Sequence, residues 1–298
     1  MTRKRFPIHG HFDATGGAHQ LQSRALSSSN LVTRILSAAL AAPLLLLLLF
    51  RGSPEAWFWL VLAAGGLAAY ELFAMTHPHD RIARALGTLT AIALAWVMYR
   101  YTSDARILLA AFVALPIVGL FGTLWRLGEI ETAALRGLAS VATPLYVGGL
   151  LTCLALLRRD TGPLGPFYVL LALKISWLGD TGGYFVGRYF GKRKLYPRVS
   201  PKKTVAGLVG SMLGAVLGCV IAHFWYLPRA PLGELIVLGL IGGVLGQLGD
   251  LAESMLKRST GIKDSGTLIP GHGGILDRID ALLVVSPLVY VYTLLSAA

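Results

Sequence analysis

The sequence predicts an all-α, polytopic integral membrane protein of about nine transmembrane helices with a cytoplasmic N-terminus. Three observations carry that prediction. Of 298 residues, 55% are hydrophobic and only 14% are charged, whereas an ordinary soluble domain is about a quarter charged. Apolar runs of about 20 residues, enough to cross a hydrocarbon core of roughly 30 Å as helix, recur along nearly the whole chain. With the N-terminus inside, 20 of the 27 Lys and Arg fall on the cytoplasmic side and six on the other, which is how basic residues orient bilayer helices. The alternating strands of a closed barrel are absent, so helices are the spanning solution.

Residues 1–30 form a polar tail rich in Gly and Ser, expected to be disordered and cytoplasmic. Its His9, His11 and His19 read as solvated side chains rather than a metal site. Residues 31–160 hold five N-terminal helices, at 31–50, 56–75, 82–99, 105–125 and 132–157. The first starts after thirty polar residues and exceeds a signal-peptide core, so it reads as an uncleaved span. Glu71 is the one intramembrane charge of this region. Residues 161–298 hold four more helices, at 164–187, 205–226, 232–256 and 275–296, joined by two basic cytoplasmic loops. The fifth and eighth spans are long enough to tilt or to project from the bilayer.

The second region is different in kind. It carries Lys174, Asp180, Asp250, Glu253, Asp277 and Asp280 in or beside its spans. A charge at membrane depth costs about 2.5–3.5 kcal/mol on insertion scales, so such residues face partners or cavities and mark function. Gly210, Gly214 and Gly218 repeat every four residues, as do Gly239 with Gly243 and Gly242 with Gly246. Stripes of this kind let helix backbones pack closely in lipid. Cys153 and Cys219 both lie within spans and read as small packing residues, with no metal or disulfide spacing.

If the eighth helix continues past the bilayer surface, Asp250, Glu253, Ser254 and Lys257 share one face. Asp277 and Asp280, three apart at the head of the ninth, share another. The short connection makes the two helices neighbours and brings Asp250 toward Asp277. Converging carboxylates at a water interface suit Mg²⁺, a hard ion that shares its shell with water and phosphate; ordinary ion pairs, such as Asp277 with Arg258, are the plain alternative. Around them lie Lys257, Arg258, Lys263 and Arg278, and the other large loop adds Arg188, Lys192, Arg193, Lys194, Arg198, Lys202 and Lys203. Carboxylates, cations and the glycine turn Pro270–Gly274 together are the parts of a phosphoryl-transfer site. His272 is the group there that titrates near neutrality, suited to acid-base work, to binding substrate or to holding the turn. The net charge of +12 reports orientation rather than a nucleic-acid partner.

Ser254, Lys257, Arg258, Lys263, Asp264, Pro270, His272, Gly273, Gly274, Asp277, Arg278 and Asp280 resemble, in identity and spacing, the signature of the phosphatidate cytidylyltransferase (CDP-diacylglycerol synthase) family. The stretch "GDTGGYFVGRYFGKRKLYPRVSPKKT" is similar to the family's second characteristic segment. One departure follows it: Val205-Ala206 stands where the family commonly has an acidic or amide residue before Gly207.

The resemblance implies transfer of CMP from CTP to phosphatidic acid, giving CDP-diacylglycerol and pyrophosphate, with Mg²⁺ alone or with a second cation. It implies a homodimer in the bacterial inner membrane, among membrane lipids, with its active site facing the cytoplasm. Carried to this chain, Asp250 and Asp277 are the leading metal ligands and catalytic residues, supported by Asp280 and Ser254. Lys257, Arg258, Lys263 and Arg278 hold phosphates, and Asp180 completes the pocket or orients Lys202 and Lys203; Asp264 contacts substrate or anchors its loop. Other membrane phosphotransferases use DG or DD dipeptides, absent here, and a transporter would spread its intramembrane charges over two halves.

Overall fold

The computed structural model describes residues 42–266 and 273–296. The tail with its histidines, the first eleven residues of the first expected span, and Pro270, Gly271 and His272 therefore lie outside the described residues. Leu47–Ala298 form one compact body. The helices are α1 (Ala42–Arg51), α2 (Pro54–Thr76), α3 (Arg81–Arg100), α4 (Ala105–Trp125), α5 (Ile130–Thr143), α6 (Leu150–Asp160), α7 (Gly165–Phe190), α8 (Val205–Trp225), α9 (Leu232–Ser259) and α10 (Leu276–Ser296).

Seven candidate spans are long and apolar enough to cross a bilayer, with α5 and α6 counting as one rod, Ile130–Asp160. The chain is a multi-pass, all-α membrane protein. The rod is joined through a π-helical turn at Pro144–Gly149, where proline lacks the N–H that would continue the α ladder. The 26-residue α7 has the length to span but not the uniform apolarity. It is interrupted by Lys174, Asp180 and Arg188.

Local chemistry starts the helices where the sequence turns. Ser53, Asp80, Asp104 and Thr204 each accept backbone N–H groups at a helix start, satisfying donors that have no intrahelical acceptor. Between α7 and α8 the basic loop folds into a hairpin that the helical reading did not anticipate. Its strands are β1 (Lys194–Tyr196) and β2 (Ser200–Thr204), antiparallel with Lys194 opposite Thr204.

The two ends of the bundle are distinct. At one end Arg126, after α4, pairs with Asp80 before α3 at 2.8 Å. At the other, Arg158 donates to the carbonyls of Leu49 and Gly52, and Tyr290 donates to Asp160 at 2.8 Å. The α2–α3, α4–α5, α7–α8 and α9–α10 connections thus share one end, as the alternation of spans requires.

The glycine stripes pack helix on helix within the chain. A Cβ on Gly214 would strike the carbonyl oxygen of Leu178 in α7, and one on Gly210 would lie 2.5 Å from that of Gly182. On the far side of α8, Gly243 of α9 meets the backbone of Met212 at 2.6 Å in the same test. The expected close approach is therefore present. The stripes are used within the chain, between α7, α8 and α9.

Candidate active site

Three elements build the site: the last turns of α9, the first turns of α10 and strand β2. Spacing along α9 puts Asp250, Glu253, Ser254 and Lys257 on one face, as expected. Gly249 lets that face meet α10, since a Cβ there would lie 2.8 Å from the carbonyl oxygen of Asp280 and 2.7 Å from Val284. Carboxylate oxygens of Asp250, Glu253 and Asp280 lie within 4.8 Å of one another. Lys203 crosses from β2 to reach Asp250 at 2.8 Å and the carbonyl of Gln247 at 3.2 Å. The hydroxyl of Ser254 donates to Asp250 at 3.3 Å.

Asp277, the other leading metal ligand expected from the sequence, has both oxygens engaged by protein groups. Its Oδ1 accepts from Lys257 at 2.5 Å, and its Oδ2 accepts from the Ser265 amide and hydroxyl and from the Gly274 amide at 2.9–3.0 Å. Lys257 also donates to Glu253 at 2.7 Å. Asp277 therefore clasps a buried Lys257–Glu253 pair and holds Ser265 beside Gly274. The grouping of three carboxylates that could hold a metal contains Glu253 where the sequence pointed to Asp277.

The sequence missed a further participant, Glu71 of α2. It accepts from the Ser265 hydroxyl at 3.0 Å, the Ile275 amide at 3.0 Å and the Leu276 amide at 2.9 Å. It thereby fills the anion position that a helix N-terminus favours. Room for its carboxylate exists because Gly266 and Gly274 carry no Cβ; at Gly266 one would lie 2.6 Å from Oε1. Gly273 turns the chain into α10 with a φ of 78°, a conformation glycine adopts without steric cost. The signal was legible: Glu71 is the only acidic residue within the expected spans of the first region, and a charge there calls for a partner.

The remaining expected residues divide into two groups. Asp180 of α7 stands within electrostatic reach of Asp250, Lys203 and Arg278. Lys202, Arg258, Lys263, Asp264 and Arg278 have exposed side chains, and Arg258 donates to the carbonyl of Ile262 rather than to Asp277. Lys203 and Lys257, by contrast, pair directly with carboxylates of the cluster.

The donor set fits a divalent cation. Glu253 is 1% exposed, and its Oε1 has no hydrogen-bond partner among the described residues, a costly state for a buried oxygen. The carboxylates of Asp250, Glu253 and Asp280 outnumber the two lysines paired with them, Lys203 and Lys257.

Residues 32–296 match the profile described as the cytidylyltransferase family. The chain belongs to the cytidylyltransferase family. Phosphatidate cytidylyltransferases of Bacillus subtilis and Staphylococcus saprophyticus are each 44% identical to it, over 132 and 129 residues. The corresponding protein of Staphylococcus aureus is 45% identical over 131 residues. These alignments cover 43–44% of this chain and 49–50% of each relative, so the chain spans about half the length of the curated relatives it matches.

Proposed function

We propose that this protein is a CTP:phosphatidate cytidylyltransferase, joining CMP from CTP to phosphatidic acid and releasing pyrophosphate. The observation that carries the reading is the cluster of Asp250, Glu253 and Asp280 at a helix end, with Lys203 and Lys257 paired to it, in a chain of this family. A lipid substrate enters such a site from the bilayer and a triphosphate from water. The bacterial relatives support the inner membrane as its location. The basic loops and the solubility of CTP support a site facing the cytoplasm.

Asp250, Glu253 and Asp280 would hold Mg²⁺. When bound, the ion neutralises phosphate charge and polarises the phosphoryl oxygens. Lys203 and Arg278, at the edge of the cluster, bind phosphate oxygens and align the two substrates. An oxygen of the lipid phosphate attacks the α-phosphorus of CTP in line. The new P–O bond forms as the bond to the bridging oxygen of the β-phosphate breaks, and that oxygen leaves with its electron pair as pyrophosphate. The nucleophile is already anionic, so no general base is required. Lys257 and Asp277 hold Ser265, Gly274 and Glu253 in place, so the reacting groups meet in a fixed geometry.

The test is incubation of purified protein with phosphatidate, Mg²⁺ and α-labelled CTP. Label is expected in the lipid fraction, with one pyrophosphate released per labelled lipid. Label that remains water-soluble while phosphatidate is intact would overturn the reading.

A further inference from the structure

The hairpin between α7 and α8 carries charge that the carboxylate cluster does not use. Residues 181–204 hold seven Lys or Arg and no Asp or Glu. Lys203 turns inward to Asp250 at 2.8 Å, whereas Arg188, Lys192, Arg193, Lys194, Arg198 and Lys202 are exposed. The ion pairs among the described residues draw on Arg126, Arg159, Lys203 and Lys257, so none of those six is paired with a carboxylate there. Interleaved with them are exposed rings: Tyr189 and Phe190 are each 71% exposed and Tyr196 is 54% exposed.

Two neighbouring helices fix the height of the hairpin. α8 has 21 residues, about 31 Å at 1.5 Å per residue, which matches a hydrocarbon core of roughly 30 Å. Its far end carries Trp225, which is exposed, and Tyr226, side chains that favour a membrane–water interface. Its near end follows Thr204 directly, so β2 stands at the opposite interface when α8 spans. α9 agrees independently. Lys203 reaches Asp250 and the carbonyl of Gln247, nine and twelve residues before α9 ends at Ser259, which sets β2 about 14–18 Å short of that tip. Lys194 pairs with Thr204, so β1 shares that height. The strands are only three and five residues long, which keeps the hairpin close to the bilayer surface while α9 projects beyond it.

We propose that the exposed side of this hairpin docks onto the lipid head groups beside it and selects anionic lipids there. Ammonium and guanidinium groups close to a bilayer surface are attracted by anionic lipids, and guanidinium forks match the geometry of phosphate. The rings between the cations favour this partner over a soluble polyanion. A tyrosine has an apolar body and a polar tip, which suits a boundary that is oily on one side and wet on the other. Because Lys203 ties the hairpin to Asp250, lipids gathered on it lie next to the carboxylate cluster. Supply of phosphatidate by this route rests on the proposed function, whereas the docking itself does not.

Hydrogen exchange of the full chain in lipid nanodiscs tests the docking without any turnover. Amides of residues 191–203 should exchange roughly ten-fold or more slowly in discs containing phosphatidylglycerol than in discs of phosphatidylcholine alone, with the α4–α5 connection at the same end unchanged. Combining Lys192→Gln, Arg193→Gln, Lys194→Gln and Arg198→Gln should remove the difference and keep the melting temperature in phosphatidylcholine, since all four side chains are exposed. High salt should remove it too, because the Debye length falls from about 10 Å at 0.1 M to about 3 Å at 1 M. Equal exchange at 191–203 in the two lipids, or a difference that survives in the variant or in high salt, would overturn the proposal. So would equal protection by CTP in phosphatidylcholine discs, which would make the hairpin a nucleotide-binding arm.

Discussion

Asp277 and Glu253, both partners of Lys257, differ in what else engages them. Asp277 sits in the recognisable motif, but both its oxygens are engaged by Lys257, Ser265 and Gly274. Glu253 lies outside the motif and keeps one oxygen without a partner among the described residues. Spacing located both residues and their helix faces correctly. It did not reveal that Lys257 would bridge both carboxylates, because that depends on where the amides of Ser265 and Gly274 meet Asp277. The two roles separate by measurement. Glu253→Gln should weaken Mn²⁺ binding, read by electron paramagnetic resonance, roughly ten-fold or more. Asp277→Asn should bind Mn²⁺ within about three-fold of wild type, melt at a lower temperature and lose CTP-dependent conversion of phosphatidate. The melting change reflects disruption of a buried pair, for which loss of one partner costs about 3–5 kcal/mol. If Asp277→Asn abolished Mn²⁺ binding with its melting temperature intact, Asp277 would return to the ligand set.

At the scale of elements, small residues set the distances on which the site depends. α8 lies against α7 through Gly210 and Gly214, and α9 lies against α8 through Gly243 and against α10 through Gly249. Four-residue periodicity made the first of these contacts legible in the sequence. The hairpin was not legible, since β1 and β2 are short, basic and without the apolar alternation that marks a strand. Yet β2 is the element that turns Lys203 inward while leaving Lys202 exposed. Gly214→Ala should destabilise the protein by about 1–3 kcal/mol, the cost of overpacking a tight contact. Gly233→Ala, where a Cβ meets nothing within 4 Å, should be neutral or slightly stabilising. Thermal melting in detergent distinguishes the two, and equal melting temperatures would show that the α7–α8 contact yields easily.

For the whole molecule, the sequence divides into a plain first half and a charged second half, while the structure joins them through Glu71. One carboxylate from α2 accepts three hydrogen bonds from Ser265, Ile275 and Leu276, each worth about 1.5–3 kcal/mol when the acceptor is charged. Composition could mark Glu71 as anomalous but could not name its partners, which are backbone amides in a distant segment. Glu71→Gln should therefore speed hydrogen exchange at Ser265 and at residues 274–276 and lower turnover, although Glu71 touches no proposed substrate. Wild-type exchange at those amides would show that the turn is held without it.

The same carboxylate also ties the site to the order of synthesis. Leu276 follows Glu71 by 205 positions, a lag of roughly 10–40 s at 5–20 residues per second. Throughout that interval the acceptor waits in the membrane for amides that have not yet been made. A ribosome that stalls before α10 leaves a chain with Asp250 and Glu253 but without Asp280 or the clasp at Asp277. Such a product lacks the assembled centre, so completion of α10 sets the moment at which the newborn protein can become competent.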